Sequence, residues 1–78
     1  MASKPKPGDV CKRVIRLLKE ERERRKLSKY FIAQRSGISP QMLGYVENGA
    51  RNPSLETLLR ISGALETDLA DVLRKAQK

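Results

Sequence analysis

LSKYFIAQRSGISPQMLGYVEN, running from Leu27 to Asn48, holds two helix starts and two helix stops in close succession. Ser28 is an N-cap residue, since its hydroxyl can accept from a backbone N–H that the first helical turn leaves without a partner. Helix is then expected through Tyr30 to Arg35. Ser36-Gly37 ends it, because glycine enters the left-handed conformation that closes a helix. Ser39 caps a second helix, and Pro40 takes its first position, where a missing N–H costs nothing. Met42, Leu43 and Val46 give that helix its apolar side, and Asn48-Gly49 is again a stop signal. Ile32, Ile38, Leu43 and Val46 are expected to bury between the two helices. Ala33 lets their backbones approach, and Gly37, four residues later, permits the sharp turn.

Upstream, Met1 to Gly8 (MASKPKPG) is polar and is expected to be a flexible arm, residues 1–8, preceding a single domain over 9–78. Asp9 suits the cap of a first helix. Val10, Cys11, Val14, Ile15, Leu17 and Leu18 form its apolar stripe. Lys19 to Lys26 (KEERERRK) then contains no apolar residue. Glu20 with Arg24, and Glu21 with Arg25, are spaced i,i+4 in the favourable order, so the helix is expected to continue as a solvated face. Its cluster Arg22, Arg24, Arg25 and Lys26 faces water or, in a functional reading, a phosphate or an acidic partner. Downstream, Gly49 to Pro53 is a loop. Ser54 caps a fourth helix with Leu55, Leu58, Leu59, Ile61 and Leu65 on its apolar side. Thr67 is the expected cap of a fifth, in which Leu69, Val72 and Leu73 face inward. No alternating strand pattern appears, so the fold class is all-α, five helices around one core.

Composition narrows the function. The 78 residues carry 17 Lys and Arg against 9 Asp and Glu, a net charge of +8, which favours a polyanionic partner. Histidine is absent, removing the common neutral-pH acid–base group. There is no Cys/His metal cluster, phosphate-binding glycine loop or nucleophile elbow. No enzyme, cofactor or small-molecule ligand is therefore expected. No apolar run approaches the ~18 residues needed to cross a bilayer, and no signal peptide is visible. The single cysteine, Cys11, fits a reducing cytoplasm and is expected to fill the core.

A helix, a tight glycine turn and a second helix is the layout of the DNA-binding helix-turn-helix. The chain resembles the Xre/Cro-type, lambda-repressor-like family of transcriptional regulators. The likeness rests on Ser36-Gly37-Ile38-Ser39, Glu47-Asn48-Gly49 and the run from Arg51 to Leu58, and extends over roughly Val14 to Leu73. It implies a five-helix domain whose second motif helix enters the major groove of duplex DNA. The implied base-reading positions are Ser39, Pro40, Gln41, Gly44 and Tyr45. Gln41 is the best reader, since its amide complements adenine N7 and N6. Gly44 reads either as close approach to DNA or as a tolerant position. The implied backbone contacts are Ser28, Lys29, Asn48, Arg51 and Asn52; Lys29 departs from the glutamine usual there, and Asn48 doubles as a helix cap. Glu47 is expected to be structural, pairing with Arg35. The family generally binds palindromic sites as two-fold dimers, and the resemblance implies a homodimer surface from Leu65, Glu66, Leu69 and Val72. The expected function is a cytoplasmic, sequence-specific regulator, by default a repressor that occupies a promoter. The competing reading is a protein-interaction module on the same fold, an antitoxin or adaptor whose basic first helix grips an acidic protein.

Overall fold

Serine caps set the boundaries of the central helices. A computed structural model describes residues 5–78 and contains α1 (Pro7–Arg24), α2 (Lys29–Ser36), α3 (Pro40–Glu47), α4 (Leu55–Ala64) and α5 (Leu69–Ala76). The Ser28 Oγ accepts from the Phe31 N–H at 3.0 Å, Ser39 Oγ from Met42 at 3.0 Å and Ser54 Oγ from Thr57 at 3.1 Å. Each satisfies one orphan donor of its helix, as expected.

The outer helices start differently from expectation. Pro7 opens α1 after Lys6, which makes no side-chain cap; Pro7 and Gly8 are therefore helical, and Asp9 lies in the first turn rather than at the cap. Proline's fixed φ suits that first turn. The rest of the expected arm, Met1 to Lys4, lies outside the described residues. The cap of α5 is Asp68, whose carboxylate accepts from the Ala70 N–H at 2.9 Å. Thr67 instead donates its hydroxyl to the Leu65 carbonyl at 3.2 Å.

One apolar core joins all five helices. Val14, Ile15 and Leu18 of α1 meet Ile32 and Ala33 of α2 and Leu43 and Val46 of α3; Leu58, Ile61 and Leu65 close it from α4, and Leu69, Val72 and Ala76 from α5. Helix α1 packs on α3 and α5, and α2 on α3 and α4. Two expectations fail here. Cys11 is exposed. Leu55 and Leu59 are 64% and 52% exposed, because the buried arc of α4 is centred on Leu58, Ile61 and Leu65 and these two lie just past its edge.

Candidate nucleic-acid interface

The turn between α2 and α3 is fixed from both sides. Gly37 sits at φ +80°, and its N–H donates to the Ala33 carbonyl at 3.0 Å. The Arg60 Nη1 of α4 lies 3.1 Å from where a Cβ on Gly37 would stand and donates to the Ser36 carbonyl at 3.4 Å. Gly37 is thus favoured by its left-handed backbone conformation, while the nearby Arg60 guanidinium, at the end of a flexible side chain, could shift to admit a Cβ. The result presents the N-terminal half of α3 to solvent.

Ser39, Pro40 and Gln41 are exposed there, with Gly44 and Tyr45 half-buried behind them. The Gln41 Nε2 donates to the Tyr45 hydroxyl at 2.7 Å, and the Arg51 guanidinium stacks 5.6 Å above the centre of the Tyr45 ring. Three residues assigned separately from sequence, two on α3 and one in the following loop, are therefore one connected group. A Cβ on Gly44 would meet nothing within 4 Å, so packing inside the protein does not demand glycine at that position. Asn48 does act as a local cap, its side-chain oxygen accepting from the Ala50 N–H at 2.9 Å. Lys29 opens α2 beside the Ser28 cap, and Lys29, Arg51 and Asn52 are all exposed.

From Arg24 to Leu55 the sequence contains one acid, Glu47. It does not pair with Arg35, which stacks instead on Phe31 with 5.4 Å to the ring centre. Glu47 turns inward and binds Arg22 bidentately at 2.7 and 2.9 Å, leaving its side chain only 7% exposed. The face around α3 is consequently free of exposed carboxylate. Arg22 was expected in a solvated cluster, yet it is buried; it also donates to the Leu27 carbonyl at 2.8 Å, and its hydrogen bonds to Glu47 hold its pKa above the ordinary arginine value. The signal for it was present: Arg22 lies four residues after Leu18 and eight after Val14, on the continuation of the buried stripe.

The other basic residues of this helix end are tied down too. Arg24 and Arg25 both bind Glu21, so Arg24 pairs with Glu21 rather than Glu20. The Arg24 hydrogen bond holds the Glu21 carboxyl below its usual range against the opposing effect of burial, with Arg25 adding to the lowering. Three of the residues expected at a dimer surface, Leu65, Leu69 and Val72, are spent inside the protomer at 1%, 6% and 7% exposure; Glu66 alone of that set is exposed. No group of three or more His, Cys, Asp or Glu side chains among the described residues is arranged to hold a metal, and no described helix is long and apolar enough to cross a membrane.

No curated protein matches the chain in sequence. Solved structures do. The restriction-modification controller protein C.AhdI from Aeromonas hydrophila superposes with a TM-score of 0.73 at 32% identity, covering 83% of this chain and 97% of that one. The clp gene regulator ClgR from C. glutamicum gives 0.77 at 28%, covering 86% and 87%. A mutant of the controller protein C.Esp1396I gives 0.79 at 18%, covering 86% and 87%, a likeness of fold. The helix-turn-helix family model HTH_3 matches residues 18–72, spanning α2, the turn, α3, α4 and the start of α5. With its all-α, five-helix lambda-repressor-like architecture, the chain belongs to this helix-turn-helix family of transcriptional regulators.

Proposed function

We propose that the protein is a sequence-specific regulator of transcription that binds duplex DNA through the N-terminal half of α3. The observation that carries this reading is the exposed Gln41–Tyr45–Arg51 group on a surface whose one acid, Glu47, is buried against Arg22. Gln41 keeps its amide oxygen and one N–H for a base edge after bonding Tyr45, the pair of functions that adenine requires. Ser39 and Pro40 flank it, and Gly44 lets the helix sit close. Ser28, Lys29, Asn48, Arg51 and Asn52 hold the backbone on either side.

One eight-residue helix reads only a few base pairs, so a homodimer on a palindrome with half-sites about one turn apart is the working unit. Its proposed action is repression by promoter occupancy in the cytoplasm. The similarity to C.AhdI, a restriction-modification controller, and to ClgR, a clp gene regulator, supports regulation of this kind.

Selection from a random duplex library at physiological salt tests the reading. Enrichment of a short palindrome supports it in full. A lone half-site removes the dimer. Uniform, steeply salt-dependent binding without enrichment removes sequence specificity.

A further inference from the structure

Helix α1 carries a second basic surface, distinct from the cluster at its end. Lys12, Arg16 and Lys19 follow one another at i, i+4 and i+7 and therefore lie along one side of the helix. Together with Glu47, Asn48 and Gly49 they line a concavity of about 230 Å³ between α1 and the loop that leaves α3. Several arginines of the described chain are engaged: Arg22 with Glu47, Arg24 and Arg25 with Glu21, Arg60 with Glu56, Arg74 with Asp71, and Arg13 with the carbonyls of Ala76 and Lys78. Lys12, Arg16 and Lys19 have no carboxylate within ion-pair distance among the described residues. Glu20, the acid nearest Arg16 on the helix surface by spacing, lines the opposite groove against α5. The one acid in the concavity, Glu47, is already neutralised by Arg22.

We infer that the Lys12–Arg16–Lys19 row is a second phosphate-binding surface, continuing the DNA contact from Asn48 along α1. The inference rests on the DNA-binding reading above. At 1.5 Å rise per residue the row spans about 10 Å, and a DNA strand presents one phosphate per about 3.4 Å of axis. Three point charges thus have two or three successive phosphates within reach. The concavity ends at Asn48 and Gly49, where the loop after α3 meets the backbone, so the two contacts are continuous on the protein surface.

The test is the salt dependence of binding to a duplex carrying the selected site. The full chain is compared with Lys12→Gln/Arg16→Gln/Lys19→Gln and with a charge-matched control, Arg24→Gln/Arg25→Gln/Lys26→Gln, at the other end of the same helix. Each phosphate contact contributes about 0.9 to the slope of log K against log salt, so the row variant should lose about 2 to 3 from the slope per protomer. Raising salt from 50 to 200 mM should then cost it roughly 12- to 40-fold less than the wild type, per protomer. The control should change the slope by less than one. Equal changes in both variants would reduce the row to generic charge and overturn the inference. So would an unchanged slope in the row variant, including one accompanied by lost binding to polyglutamate, which would mark an acidic-protein site. Failure of the wild type to bind any duplex would instead remove the DNA reading itself.

Discussion

Gln41 meets DNA already oriented. Its bond to Tyr45 fixes which way the amide points and leaves one donor and one acceptor outward. Gln41→Ala should relax preference at one base pair by about 1–3 kcal/mol while largely sparing nonspecific binding; an equal loss on every sequence in a competition assay would remove it as the reader. Tyr45→Phe keeps the ring beneath Arg51 but frees the amide, so it should blur the same position more weakly. At Gly44 a Cβ meets nothing within 4 Å, and Gly44→Leu should leave the circular dichroism helical while abolishing specific binding. Retained specific binding would show that DNA does not approach so closely. These residues were legible one by one, because helix position and side-chain chemistry name them. Their connection was not, since Arg51 joins α3 from a loop whose path no local pattern dictates.

Among the elements, α1 and α3 are tied by a buried ion pair. Arg22 and Glu47 are both buried and bound to each other, and Arg22 also closes the end of α1 through Leu27. Arg22→Ala would strand the Glu47 carboxylate in the core and should cost about 3–5 kcal/mol, a large share of the 5–15 kcal/mol typical of a domain. Replacing both, as Arg22→Met/Glu47→Met, removes the stranded charge and should recover most of that loss in thermal melts. If the double variant melts as low as the single, the loss comes from the Leu27 contact and the pair adds nothing. Glu21 behaves in the opposite setting, near the surface. Its folded pKa is depressed, so its stabilising contacts with Arg24 and Arg25 are present above the ordinary glutamate value of about 4.3 and disappear as pH falls through the lower folded value. Melting temperatures of wild type and Glu21→Gln should therefore differ at neutral pH and converge in acid. Element starts at Ser28, Ser39 and Ser54 were readable because a cap is a local event. The stops of α1 and α4 were harder: Lys26 and Glu66 take the positive-φ positions, at +58° and +53°, where no glycine announces the turn. Arg22 was missed because a charged residue on an apolar stripe reads as surface until its partner, 25 residues away, is known.

For the whole molecule, charge is arranged as well as accumulated. A net +8 would mean little if it were spread evenly. Several acids are spent in ion pairs along α4, α5 and the end of α1, while Lys29, Arg51 and the α1 row keep their charges facing outward. Counting those five cations as phosphate contacts gives a salt slope of about −4.5 for one protomer and about −9 for a dimer. Titrations on a full palindrome and on an isolated half-site should separate the two values, and one shared slope would argue against a dimer. The five-helix architecture followed from the sequence because each helix carries its own cap, stop or apolar stripe, whereas an assembly surface depends on which apolar residues remain after the core is filled, and Leu65, Leu69 and Val72 do not remain. The linkage of Gln41, Tyr45 and Arg51 also constrains how such a molecule can change its address. A substitution at Gln41 that suits another base also separates the new side chain from the Tyr45 hydroxyl that orients the amide, so one step toward a new operator starts with a reader that is not held in place. Sharp retargeting then calls for paired changes at positions 41 and 45, and single-step variants pass through an intermediate of blurred base preference.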